Sequence, residues 1–191
     1  MRDYFEELII NLQNKKMNIY HENIKKHNKE YTNNLFGYGL SDEVLFIYNH
    51  YGLFELTWFT QDEKYRGFIQ FIPYDGIEAE HQELVEIMGE CYDIEEDYFK
   101  IKDDIENWYP LFKFPNGDMF CMDARNGKIV FYEHEVYDTG INLHGLIIAL
   151  SVNDLFEKWS KCYFADIYDW YEGTDDNGID LQKEVFKDLL Q

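Results

Sequence analysis

Cysteine, proline and serine are scarce in this 191-residue chain, with three of each. Cys91, Cys121 and Cys162 are odd in number and far apart, and none forms a C-x-x-C or a Cys/His pair at metal-ligand spacing. A disulfide framework is therefore excluded, and a reducing compartment is the expectation. The few serines leave no G-x-S-x-G, and no P-loop or G-x-G-x-x-G occurs, so no nucleotide or nucleophile motif is present. Basic residues are also short: 17 Lys plus Arg against 38 Asp plus Glu give a formal charge of −21. Such a surface repels phosphates and anionic headgroups, so neither nucleic acid nor membrane is an expected partner. Long apolar runs are missing too. Leu146–Leu150 is the best of them and is far too short for a bilayer. Residues Met1–Leu12 carry Asp3, Glu6 and Glu7 and lack a basic start, so no secretory leader is expected. A soluble, cytoplasmic protein without a cofactor fits these absences.

What is abundant is aromatic and acidic. Phe, Tyr and Trp make up 18 % of the chain. With 46 % apolar residues, a chain of this length is expected to bury roughly 70 % of its unfolded surface in one folded unit. The charge is uneven. Residues 1–40 carry +1, 41–74 carry −3, 75–106 carry −11, 107–165 carry −2 and 166–191 carry −6. Two segments therefore hold most of the acidity.

Local signals outline an order of elements. Phe5, Leu8, Ile9 and Leu12 have the spacing of an amphipathic helix, after which Asn and Lys dominate to residue 30 and the pattern weakens. Ser41 is placed to cap a second helix that runs to a stop at Gly52 and buries Val44, Leu45, Ile47, Tyr48 and Tyr51. Residues 54–59 and 67–72 read as paired strands, ended by Pro73. A helix follows over 77–91, with Leu84, Ile87, Met88 and Cys91 on its apolar face. Asn116-Gly117 and Asn126-Gly127, flanked by apolar stretches 111–114, 119–122 and 129–132, predict a three-stranded meander, because both turn residues tolerate positive φ. Ser151 and Asp154 form a capping box ahead of Leu155, Phe156 and Trp159. The expected fold class is α+β, a central antiparallel sheet of a hairpin plus a meander, packed by helices.

Few residues suggest chemistry. His134 lies between Glu133 and Glu135 at a strand end, where alternation separates it from both carboxylates, so a structural or surface role is expected. Asp175, Asn177 and Glu184 match three positions of a calcium loop around Gly178. Gly173 and Asp180 spoil that match, and a turn between helices is the better reading. Cys121 has no basic neighbour to lower its pKa and reads as a core residue. No metal site, cofactor or enzyme motif is expected.

The order of elements from Leu35 to Trp159 resembles the SUKH superfamily, which groups bacterial immunity proteins and fungal cell-wall regulators. The matching pieces are the capped helix Leu40–Gly52, the Gly-Asp strand segment Phe112–Asp123, the strand Asn126–Glu135 with its His-Glu ending, and the helix start Ala149–Phe156. Ser41 stands where a proline is common in that family, and 75–106 looks expanded. The resemblance implies one SUKH-like domain over 1–191, its core at about 35–160. An N-terminal helical extension (1–34) and an acidic C-terminal extension (161–191) would flank it. It implies no catalysis and, in bacteria, an immunity protein that binds and neutralises a cognate polymorphic toxin. A monomer or weak homodimer is expected. Plentiful Ile and Asn with only four Ala suit AT-rich bacterial coding.

A nuclease-like toxin must present Lys and Arg to phosphate, and an acidic inhibitor can take over those contacts. The expected partner-binding residues combine the acidic run Asp93, Glu95, Glu96 and Asp97 with the aromatics Tyr92, Tyr98, Trp108, Tyr109, Trp170 and Tyr171. A non-catalytic regulatory scaffold with several partners is the alternative.

Overall fold

The computed structural model describes residues 1–91, 97–134 and 142–190, of which 88–91 and 97–100 by backbone alone. Asp3 starts the first helix, its carboxylate accepting from the N–H groups of Phe5 and Glu6, both at 3.1 Å. Helix α1 (Tyr4–Asn14) buries Tyr4, Phe5, Leu8 and Leu12. Lys16, with φ of 55°, then turns the chain into strand β1 (Asn18–Lys26). The helical extension expected over 1–34 is thus a helix followed by a strand, and α1 belongs to the main core. The sequence hides β1 because its pattern of apolar residues is too sparse to signal a period. Pairing with another strand, not an apolar face of its own, holds it in place.

A small hairpin of β2 (Asn34–Leu35) and β3 (Tyr38–Gly39) leads to α2 (Asp42–His50). The Ser41 hydroxyl accepts from the Val44 N–H at 3.3 Å, as the sequence predicts. The helix stops one residue short of the expected place: Tyr51 is extended and starts β4 (Tyr51–Phe59), so Gly52 already lies in the strand. Strand β5 (Arg66–Phe71) returns, and a short turn at Tyr74–Gly76 opens α3 (Ile77–Cys91), followed by α4 (Asp97–Asn107). The meander is β6 (Trp108–Lys113), β7 (Met119–Asp123) and β8 (Ile129–Tyr132). Gly117 and Gly127 occupy φ of 95° and 77° at its two turns, the conformation that the Asn-Gly pairs foretell. Strand β9 (Ile147–Ala149), α5 (Val152–Lys161) and α6 (Trp170–Gly173) follow. The chain continues through β10 (Thr174–Asp175) and β11 (Gly178–Ile179) to α7 (Glu184–Leu190).

Seven strands form one antiparallel sheet in the order β1-β4-β5-β6-β7-β8-β9, and the fold class is α+β. Strand alternation sorts its side chains onto two faces. On the first, Phe54, Leu56, Trp58, Phe71, Phe112, Phe120 and Phe131 meet α1, α2, α5 and α7 in the main core. Phe5 stacks on Phe54 at 3.9 Å between ring centroids, and Trp159 stands edge-on to Phe120 at 4.8 Å. On the second face a smaller cluster joins Leu84 of α3 and Ile101 and Ile105 of α4 to Trp108, Cys121, Val130 and Tyr132. That cluster sits over β6–β8. Among the described residues no helix covers β1, β4 and β5 on this side.

Candidate partner-binding surface

The structure does not gather the expected interface residues into one patch. Tyr92, Asp93, Glu95 and Glu96 lie outside the described residues. Asp97 and Tyr98 are the first two residues of α4, fixed in backbone only. Trp108 is corrected: it is 2 % exposed, packed under α3 and α4, with its ring 4.5 Å from that of His144. Tyr109 is half-buried between Phe36 at 3.9 Å and His81 at 4.1 Å. Trp170 is corrected too, at 1 % exposed and edge-on to Phe120 at 4.9 Å. The physical reason is shared: each indole fills a gap between a helix and the sheet, where its large area is worth more out of water. Of the described aromatics on that roster, Tyr171 is the most accessible, at 39 %. The acidic segments are also apart. Among the described residues, Leu84, Ile101 and Ile105 of the first segment pack on the second face, whereas Trp170, Ile179, Phe186 and Leu189 of the second segment pack in the core of the first.

Part of the acidity is consumed internally. The Arg125 guanidinium forks onto Asp123, with Nε at 2.9 Å from Oδ1 and one terminal nitrogen at 2.8 Å from Oδ2. It also reaches Asp104 at 2.6 Å and Asp103, tying α4 to the β7–β8 turn. Burial pushes the Asp123 carboxyl up, but the Arg125 side chain and N–H outweigh it and hold its pKa below the usual carboxylate range. Glu80 pairs with Lys113, and Lys102 with Glu106 at 3.5 Å. Exposed Glu78, Glu83 and Glu86 of α3 have no cation partner among the described residues.

His134 Nδ1 lies 2.8 Å from Asp118 Oδ1, which also accepts the His134 N–H at 3.0 Å. The pair borders a cleft of about 280 Å³ between α3 and the sheet, lined also by Glu80, Glu83, Ile87 and Lys113. Neither ring nitrogen of His144 has a partner among the described residues, and burial lowers its pKa to about 4 despite the pull of Asp104. Cys121 is fully buried and its thiol is pushed up by that burial. Around Gly178 the chain makes the β10–β11 hairpin, where Asp175 accepts from the Asn177 N–H at 2.7 Å. No group of three or more His, Cys, Asp or Glu is placed to hold a metal ion among the described residues. No described helix is long and apolar enough to cross a membrane.

Sequence reasoning missed the uncovered half of the sheet. In the β4–β5 register Glu55 faces Gln70 and Thr57 faces Phe68, while β1 adds His21 and Asn23 beside them. Tyr20 sits at a register shift in β1 and is 84 % exposed, edge-on to Phe59 at 6.3 Å; Phe59 in turn meets Phe68 at 6.1 Å. Ile87, expected on the buried side of α3, is 48 % exposed because it points toward strands that no described helix covers. A signal was present in 54–59 and 66–71, where both alternating faces carry aromatic or branched residues. With the site in view, no family model, curated protein or solved structure matches the chain.

Proposed function

We propose that this chain is a non-catalytic binding protein. In this reading it is a cytoplasmic bacterial immunity protein that occupies the basic face of a cognate, nuclease-like toxin domain. The observation that carries the reading is a set of exposed α3 carboxylates, Glu78, Glu83 and Glu86, without a cation partner among the described residues, together with a sheet face that no described helix covers and that holds Phe59, Phe68 and Tyr20. A field of this sign steers a Lys- and Arg-rich partner and raises its association rate, and aromatic side chains supply lasting contact. The resemblance of residues 35–159 to the SUKH superfamily supports the immunity role. Co-expression with the product of the adjacent gene tests it: that product arrests growth, this chain restores it, and the two proteins co-purify. Failure to bind or protect removes the immunity reading. Charge reversal at Glu83 and Glu86 is expected to slow association at low salt and to change little at high salt.

A second reading is enzymatic, and one observation favours it: the His134–Asp118 pair borders a cleft that also holds Glu83 and Lys113. An aspartate on Nδ1 orients an imidazole as a general base. His134→Ala would then abolish an activity without unfolding the protein.

A further inference from the structure

Three hollows on the second face of the sheet share their walls. The first is bounded by Ile19, Tyr20, Phe59, Glu63 and Phe68. It shares His21, Thr57 and Phe68 with the second, which in turn shares Gln70 and Lys113 with the cleft under α3. Together they make one trough that crosses β1, β4 and β5 and ends against the helix. Three strands spaced about 4.8 Å apart span about 10 Å, the width of one helix with its side chains. Among the described residues, the layer that α3 and α4 begin over β6–β8 thus stops one helix short. The floor is aromatic at the end formed by Phe59, Phe68 and Tyr20, where an apolar surface is costly to leave wet, and polar across Thr57, Glu55 and Gln70.

Charge selects what fits. The cations at the trough already have carboxylate partners: Arg66 pairs with Asp166 at 3.3 Å, and Lys113 with Glu80. His21 leans on Glu55 at 3.6 Å, and Lys25 lies toward the far end of β1, beyond Asn23 and Glu55. The carboxylates of Glu63 at one end and of Glu83 at the other have no cation among the described residues. An occupant therefore gains by bringing positive charge to the two ends and apolar side chains to the aromatic part of the floor.

We propose that this trough docks an amphipathic, Lys- or Arg-flanked helical segment of a partner protein, which completes the helix layer over β1, β4 and β5. The inference rests on the reading that the chain binds a basic protein, and not on that protein being a toxin. Ile87 forms the wall, and Phe59, Phe68 and Tyr20 form the anchoring floor. Glu63 and Glu83 set the sign.

The test titrates the full chain with a short amphipathic Leu/Lys helix peptide and with its Leu/Glu counterpart, followed by fluorescence anisotropy. One Leu/Lys peptide binds per chain, and the Leu/Glu peptide does not. The decisive variants are Tyr20→Asp and Phe59→Asp. Both add negative charge, so general electrostatic adhesion would tighten binding, whereas loss of the floor weakens it by at least about tenfold. Tyr20 is so exposed that its variant keeps the fold, checked by circular dichroism. Reversal at Asp175 and Asp176, on the β10–β11 hairpin, leaves binding unchanged. Should that reversal abolish binding while Tyr20→Asp and Phe59→Asp do not, the trough is wrong and the basic-partner reading stands. Preference for the Leu/Glu peptide, or binding of neither, overturns both.

Discussion

The two faces of the sheet are built on different principles. The first is closed by helices over a continuous aromatic core, and two of its indoles are hydrogen-bonded: Trp58 donates to the Tyr163 carbonyl at 3.0 Å and Trp159 to that of Ala165 at 2.8 Å. The second is half covered and its cluster is small. Each side leaves polar atoms buried without a partner among the described residues: the hydroxyls of Tyr48 and Tyr31 on the first, and Trp108 Nε1 and both ring nitrogens of His144 on the second. What holds α4 there is an ionic net around Arg125 as much as apolar contact. Stability is thus concentrated on one side of the sheet, and charge sensitivity on the other.

Trp159→Ala strikes the closed face and is expected to cost about 3–5 kcal/mol in urea denaturation, from lost transfer energy plus a cavity that four rigid rings cannot fill. If it costs no more than a surface change, the contrast between the faces fails. Acid probes the second face. His144 has its pKa lowered from 6.5 to about 4 by burial, so the folded state rejects a proton that the unfolded chain accepts. Its stabilising contribution is complete above pH 6.5 and is lost as pH falls from about 6.5 toward 4, up to about 3 kcal/mol. His144→Phe keeps a ring beside Trp108 and should remove that slope. An unchanged slope in denaturation at pH 7, 5.5 and 4.5 would place the titration elsewhere.

Smaller effects sharpen the same contrast. Arg125→Ala strips the buried Asp123 carboxylate of its cation, which for a fully buried pair costs about 3–5 kcal/mol. The guanidinium is about one-third exposed, so screening reduces the expectation to about 2 kcal/mol. Hydrogen exchange should rise in α4 and stay unchanged in α5; equal rises in both would mean that the net is not local. Least of all, Trp108→Phe should change stability by under about 1 kcal/mol, because its indole N–H has no hydrogen bond to lose among the described residues.

Much of this architecture is legible in the chain because its signals are local. Ser41 and Ser151 cap helices with hydroxyls that reach N–H groups three residues on, and those bonds need nothing from the rest of the molecule. The Asn-Gly turns likewise set φ within two residues, so β6, β7 and β8 follow, and the aromatic runs mark β4 and β5. The candidate surface is much less legible. Tyr109 and Tyr171 keep some exposure while Trp108 and Trp170 do not, and nothing in the spacing of these residues separates the two outcomes. The Asn/Lys-rich stretch 18–26 carries too few apolar residues to announce a strand, and it is one only because β4 offers it an unpaired edge.

The sequence by itself determined the α+β class, the order of the central elements, the capped helices and a charge of −21. Tertiary structure alone decided that α3 and α4 pack their apolar residues on one face of the sheet while α6 and α7 pack on the other. It also decided that Arg125 consumes three of the carboxylates, and that no described helix covers one face of β1, β4 and β5. The reason is physical. Caps, turns and strand periods are settled between residues a few positions apart, whereas an amphipathic helix carries the same apolar stripe whichever side of the sheet it covers.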